Sequence, residues 1–348
     1  MLSPQQINEI KEHLEKAQNP VFFFDNDADG LCSFLLLQRY IGRGKGVAIK
    51  SFPELDTSYF RKVLELKADY IFILDKPTVS ENFLKEVEKY NIPVVWVDHH
   101  DVKIEIPDFV SYFNPLFNKP SSNEPVTVLC YQISKRKEDL WIAVVGAISD
   151  KFIPEYYKEF KEEFPDLAAD SKDAFKIFFD SQIGKIARLL CFGLKDSVTN
   201  VVKMQKFLMK VKSPYDVLEE TSQNYSMYYR FSQINKKYTK LLEKASEGVS
   251  SSKILFFQYG GDLSISSDLS NELSYLFPDK IIVVIYITGI KANISIRGEN
   301  AKKIILQAIE GLENARGGGH EDAVGGQVKI EDLEKFRENI KNIVELGK

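Results

Sequence analysis

Carboxylates and histidines stand at the ends of several apolar runs in this chain. Val21-Phe22-Phe23-Phe24 leads into Asp25-Asn26-Asp27-Ala28-Asp29-Gly30. Tyr70-Ile71-Phe72-Ile73-Leu74 leads into Asp75, and Val94-Val95-Trp96-Val97 into Asp98-His99-His100-Asp101. Trp141 to Ser149 leads into Asp150. Short β-branched and aromatic runs bounded by polar residues read as buried strands of a parallel sheet. In open α/β sheets the ligand site lies outside the carboxyl ends of the strands. At least the first three runs would therefore carry acids and imidazoles to one sheet edge. That many carboxylates cannot share a small space as bare anions, because like charges oppose ionisation. Divalent cations resolve the conflict, so the pattern points to a metal centre.

Mixed carboxylate and imidazole ligands suit Mn²⁺, with Mg²⁺, Co²⁺ or Zn²⁺ as competitors. No cysteine lies in these motifs, which argues against structural zinc. There are enough ligands for two ions, and two ions about 3.5–4 Å apart are a common device for cleaving phosphate esters. The plainer reading of a single Asp after a strand is a helix cap or turn residue. Asp75 or Asp150 alone would receive it. Asp25, Asp27 and Asp29 together would not, and two of the chain's four His are adjacent at 99 and 100.

Asp27-Ala28-Asp29-Gly30 with Asp98-His99-His100 resembles the DHH phosphoesterase superfamily, which includes RecJ exonucleases, oligoribonucleases and family II pyrophosphatases. Asn293 to Arg297, Gly317-Gly318-Gly319-His320 and Ala323-Val324-Gly325-Gly326 resemble the DHH-associated C-terminal domain. The ordered set covers nearly the whole chain, with the middle matched least. The resemblance implies that Asp27, Asp29, Asp75, His99 and His100 carry catalysis. It also implies that Asp25, Asp27, Asp29, Asp75, Asp98, His99 and Asp150 hold the metals or support them, with Asp75 bridging two ions. The pattern departs at Phe23, where many members carry a His, and Asp25 is the residue that could replace it.

The remaining chain must position these groups. At 348 residues it is long for one core and comfortable for two domains. A hydrophobic content of 44% and a charged content of 28% describe an ordinary soluble protein. No cleavable signal pattern opens the chain, no apolar run is long enough to span a bilayer, and Cys32, Cys130 and Cys191 lack paired spacing. These features predict a cytoplasmic protein with reduced thiols and no membrane partner. The expected architecture is α/β: a parallel-sheet catalytic domain over 1–196, a helical linker over 197–249, and a smaller α/β substrate-binding domain over 250–348. Helices are expected over Gln5–Ala17, Leu31–Tyr40, Phe60–Leu66, Glu81–Tyr90, and from Phe160 to Leu194.

Lys185 to Lys244 carries twelve Lys or Arg against five Asp or Glu, in a chain of formal charge −4. Tyr225, Tyr228, Tyr229, Phe231 and Tyr238 are interleaved with them. Cations alternating with aromatics can track a phosphate backbone and stack bases. The competing reading is a pair of solvated helices whose aromatics pack inward. In the C-terminal domain, the Gly317-Gly318-Gly319 segment reads as a turn that can present amides to an anion. His320, Arg297 and Arg316 would add groups suited to phosphate.

The combined reading is a phosphodiesterase acting on single-stranded DNA or RNA by a two-metal mechanism, an exonuclease of the RecJ-like archaeal type. Mn²⁺ is the expected ion, with replication or repair proteins as conceivable partners. The alternatives are an enzyme cutting oligoribonucleotides or cyclic dinucleotides, and a replication scaffold related to RecJ. A family II pyrophosphatase fits less well, since the basic aromatic middle has no role there.

Overall fold

The acid-ended runs form neighbouring strands. In the computed structural model, which describes residues 1–50, 54–102 and 104–345, the N-terminal strands are β1 (Pro20–Asp25), β2 (Lys45–Ile49), β3 (Glu54–Leu55), β4 (Tyr70–Leu74), β5 (Thr78–Val79), β6 (Val94–Val97) and β7 (Val110–Phe113). Five of them join in the order β2-β1-β4-β6-β7, every pairing parallel. Phe24, Leu74 and Val97 are lateral neighbours in this register. The residues that follow them, Asp25, Asp75 and Asp98, therefore leave adjacent strands at the same edge.

Both sheet faces are covered, which is why the strand sequences are apolar without alternation. Phe22, Phe24, Phe72, Leu74, Val95 and Val97 pack on one side with residues of the helices Ala28–Ile41, Val126–Ser134 and Leu140–Ser149. Val21, Phe23, Ile71, Ile73, Val94 and Trp96 pack on the other with residues of the crossover helices Phe60–Leu66 and Glu81–Lys89. The opening helix, Pro4–Lys16, begins at a capping box between Ser3 and Gln6.

One expected strand is a helix. Leu140–Ser149 is α-helical and buried along almost its whole length. An all-apolar run has no period to betray its conformation, and a helix apolar on every side belongs in a core. Asp150 thus arrives from a helix C-terminus rather than from a strand.

The chain divides into two compact units, Met1–Phe231 and Ser232–Lys348. The division falls within the helix Tyr225–Glu247. Of the stretch 197–249, Val201, Met204, Leu208, Val211, Val217 and Met227 belong to the main core of the first unit. The second unit contains β8 (Ile254–Gly260), β9 (Ile281–Thr288), β10 (Lys291–Arg297), β11 (Arg316–His320) and β12 (Ala323–Lys329). They form one sheet ordered β11-β12-β10-β9-β8, antiparallel except for β8 with β9. The helices Ala301–Ala308 and Leu333–Glu345 supply Ile304, Ile305, Phe336 and Ile340 to its core. Among the described residues, no helix is long and apolar enough to cross a membrane. Cys32 and Cys130 are buried free thiols, and Cys191 is half-buried.

Candidate metal centre

The loop after β1 is fixed by its own acids. Asp27 caps the helix Ala28–Ile41 by accepting from the Gly30 amide at 2.9 Å. A Cβ at Gly30 would stand 2.5 Å from the Asp25 carbonyl oxygen, so only glycine permits this turn. Asp29 lies in the first turn of that helix and is buried. Its two oxygens accept from the Val126 and Thr127 amides, at 2.9 and 2.7 Å, at the start of the helix Val126–Ser134. Asp29 therefore performs a structural duty that its motif does not announce. Each of its oxygens keeps a second lone pair for another partner.

Asp75 and the Asp98-His99-His100 segment come from the two strands beside β1. Asp75 adopts a left-handed backbone, φ 59°, which is uncommon outside glycine and concentrates at functional sites. Its amide donates to the Val97 carbonyl at 3.0 Å. Asp98 is fully buried and accepts from the His100 amide at 3.3 Å, and its Oδ1 lies 2.8 Å from His100 Nδ1. Asn114 Nδ2 donates to the His100 carbonyl at 3.0 Å and pins the loop from the end of β7. Buried His99 places Nε2 3.4 Å from Asp75 Oδ1 and 3.8 Å from Asp150 Oδ2.

Within the first unit, two sets of ligand-capable atoms converge to within 4.8 Å of one another: Asp29, Asp75 and His99, and Asp75, Asp98 and His100. Asp75 is common to both. Asp25 and Asp27 belong to neither, nor does Asp150, although all three add negative charge nearby. Burial, then repulsion from Asp29, Asp27, Asp25 and Asp150, raises the Asp75 carboxyl well above the usual carboxylate range. Burial and Asp150 push Asp29 up to about 6, against the opposing pull of His99 and the Thr127 hydrogen bonds. The dense surroundings of Asp27, then Asp25 and Asp29, also raise its carboxyl. Asp27 is open to solvent, however, so water screens part of that shift. At His100 burial lowers the imidazole, but Asp98 outweighs it and, with Asp150 and Asp25, lifts it to about 9. Buried carboxylates that resist ionisation next to one another, with an imidazole between them, fit a divalent cation by donor type and by charge.

Lys76 is the participant that sequence reasoning missed. Its side chain is 1% exposed, and its Nζ lies 2.9 Å from Asp25 Oδ1. The Trp96 indole donates to the Lys76 carbonyl at 2.9 Å. The available signal was a lysine placed directly after a strand-ending aspartate, in a loop that must return to the sheet edge.

The remaining expected residues lie in the second unit. Gly317, Gly318 and Gly319 form an edge strand, not a turn, with the reversal after it at 321–322. Packing explains part of the glycine run. A Cβ at Gly317 would stand 2.9 Å from the Ile305 side chain, and Gly319 has φ +140°. Gly318 faces open space. Arg297 and His320 both pair with Ala323, so they flank β12 at one end of the sheet. Arg297 donates through Nε to Asn271 Oδ1 at 2.6 Å and through a terminal nitrogen to the Ile296 carbonyl at 2.9 Å. Arg316 is exposed and reaches Gln327 Oε1 at 3.3 Å.

The aromatics of the basic stretch divide. Tyr238 is buried, Phe231 packs on Phe192, and the Tyr228 hydroxyl donates to the Leu218 carbonyl at 2.7 Å. Tyr225 and Tyr229 are more than half exposed, at 56% and 54%, and stack on each other with ring centroids 6.0 Å apart.

A parallel sheet whose strand ends gather acids and imidazoles, together with a second α/β unit, defines an α/β protein with a cation-ready centre. The chain belongs to the DHH family: the family model for the DHH N-terminal domain matches residues 21–149, and that for the DHHA1 domain matches 250–346. Among solved structures, RecJ from Thermus thermophilus in complex with Mn²⁺ superposes with a TM-score of 0.69 at 15% identity, covering 98% of this chain and 55% of that one. This chain thus spans little more than half the length of that relative. A manganese-bound exonuclease RecJ gives 0.63 at 15% identity, covering 97% and 92% of the two chains. CDC45 from Entamoeba histolytica gives 0.55 at 9% identity, covering 97% and 98%. At such identities the likeness is one of fold. No curated protein matches the chain.

Proposed function

We propose that this protein is a metal-dependent phosphodiesterase that degrades single-stranded nucleic acid, an exonuclease of RecJ-like type. The observation that carries the reading is the convergence of Asp29, Asp75 and His99 at the carboxyl edge of the parallel sheet. These three would hold a divalent cation, Mn²⁺ or Mg²⁺, and Asp75 is the carboxylate that a second ion would share. Such a cation supplies a Lewis acid for a phosphoryl oxygen and lowers the pKa of water at neutral pH. Asp98 orients His100 and keeps its ring charged, which suits it to a phosphate oxygen rather than to a metal. Asp27 and Asp150 add negative charge that favours the bound cation. In the second unit, Arg297, Arg316 and His320, with the Gly317–Gly319 edge amides, are the groups assigned to phosphate binding.

A strand substrate is favoured by the exposed Tyr225–Tyr229 stack within the basic stretch, since paired rings in solvent accept bases of any sequence. The test is digestion of end-labelled DNA and RNA strands of graded length with Mn²⁺ or with EDTA, alongside cyclic dinucleotides. Metal-dependent shortening of long strands is expected. Turnover of dinucleotides alone would move the reading to the small-substrate class, and full activity in EDTA would end it.

A further inference from the structure

The carboxyl edge of the first sheet has a further strand end, and an aromatic ladder leads from it to solvent. Phe113 ends β7 beside Val97, so Asn114 leaves the sheet next to Asp98. Buried Asn114 is the junction. Its Nδ2 donates to the His100 carbonyl and to the Tyr112 hydroxyl, both at 3.0 Å, and its Oδ1 accepts from the Leu116 amide at 3.0 Å. One side chain thus ties the Asp98-His99-His100 segment to the turn Pro115–Phe117. The rings follow the same path. Buried Trp96 meets Tyr112 at 4.9 Å between ring centroids, and Tyr112 meets Phe117 at 6.3 Å. Phe117 ends the ladder, 60% exposed.

Single exposed apolar side chains are ordinary on protein surfaces. Phe117 differs in how firmly it is held. The Ser122 amide donates to the Pro115 carbonyl at 3.2 Å, and the Ser121 hydroxyl to the Leu116 carbonyl at 2.8 Å. Asn118, next in the chain, exchanges side-chain hydrogen bonds with Gln6 at 3.0 and 2.9 Å. The turn is therefore fixed on both sides of Phe117, while the ring keeps most of its surface in water. A ring placed in advance loses little freedom when a flat ligand stacks on it. Asp29, Asp75 and His99 address a phosphate through a cation, whereas an aromatic face addresses a base. Lys119, exposed two residues on, adds a charge suited to a neighbouring phosphate.

We propose that Phe117 is a base-stacking subsite of this centre, its ring taking the base of the nucleotide whose phosphate is cleaved. The inference rests on the nucleic-acid reading above and deepens it, since a stacked base separates a nucleotide from an inorganic polyphosphate. Every base has a π-face, so the subsite accepts bases of any identity. Phe117 is a binding residue in this account: it acts on substrate affinity and leaves the metal ligands as they are.

The experiment compares single strands whose terminal nucleotide, at one end or the other, either carries its base or is an abasic residue, digested by the full chain with Mn²⁺. Wild-type protein should show a KM roughly 5- to 150-fold lower for the strand with the base, the range that stacking on one aromatic side chain gives. Phe117→Ala should raise the KM of that strand to the abasic value and leave the abasic strand unchanged. Its kcat should stay near the wild-type value, and calorimetry should find Mn²⁺ binding intact. Phe117→Trp, which keeps an aromatic face, should retain the preference for the base. Equal KM values for the two strands in the wild type, or a preference that survives Phe117→Ala, overturn the inference and leave the nuclease reading standing. The wild-type comparison decides even without a folded variant. Absence of Mn²⁺-dependent strand cleavage in the wild type would instead remove the nuclease reading, and this inference with it.

Discussion

The carboxyl edge of the first sheet and the glycine-rich end of the second solve opposite problems. At the first, three adjacent parallel strands deliver Asp25, Asp75 and Asp98 into one crowded region. Burial and mutual repulsion raise Asp29 and Asp75. At the second, an antiparallel edge strand carries glycines, His320 and an exposed Arg316, and Arg297 on β10 faces His320 across Ala323 of β12. One end concentrates negative charge that calls for a cation. The other offers cations and backbone amides that suit an anion.

Experiments can break this comparison at either end. The largest effect is expected at Asp75, which belongs to both ligand sets. Asp75→Ala should abolish Mn²⁺-dependent strand cleavage, a loss well beyond the roughly 10–100-fold typical of a residue that only supports a ligand. A rate assay at saturating Mn²⁺ checks this.

Metal and pH come next. A carboxyl whose folded pKa is raised binds protons more tightly in the folded state than in the unfolded one. Its contribution to stability is therefore largest at low pH and is lost as pH rises through the folded value. For Asp29 that window runs from its ordinary value of 3.8 to about 6, and for His100 from 6.5 to about 9. Metal-free protein should accordingly lose thermal stability as pH rises through both windows. Mn²⁺ at about 100 times its Kd should restore about 2.7 kcal/mol. Melting curves at stepped pH, with and without Mn²⁺, measure both effects.

The glycine-rich end should respond differently. His320→Ala or Arg297→Ala should weaken substrate binding by roughly 1.5–3 kcal/mol while calorimetry finds Mn²⁺ binding unchanged. Arg297→Ala also frees Asn271, so some loss of stability should accompany it. Loss of metal in either variant would blur the distinction between the two ends.

The smallest effect belongs to the basic stretch. Neutralising Lys236, Lys237 and Lys240 should flatten the salt dependence of strand binding by about 0.7 per lost phosphate contact. Lys237 is already paired with Asp262 at 2.7 Å, so it should contribute least. Dinucleotide turnover should be unaffected.

What could be read in the sequence follows from how each element is stabilised. The strand runs at 21–24, 70–74 and 94–97 were legible because a sheet buried on both faces needs continuous β-branched and aromatic residues. Their terminal acids then fell at one edge by topology alone. The run from Trp141 to Ser149 was misread because a fully buried helix has no polar face to reveal its period. The glycine run read as a turn, since no local signal shows that Ile305 packs over Gly317 and Gly326. Lys76 was invisible for a related reason. A lysine after a strand looks solvated, and only the pairing of β1 beside β4 gives it a carboxylate to meet. Asp29 as a partner of the Val126 and Thr127 amides depends likewise on a contact across about a hundred residues of chain.

The most direct test of the account is anomalous diffraction from crystals soaked in Mn²⁺. A strong peak is expected between the carboxylates of Asp29 and Asp75 and the His99 imidazole, absent from crystals of Asp75→Asn. A soaked wild-type crystal without a peak at these three residues, or an undiminished peak in the variant, would contradict it.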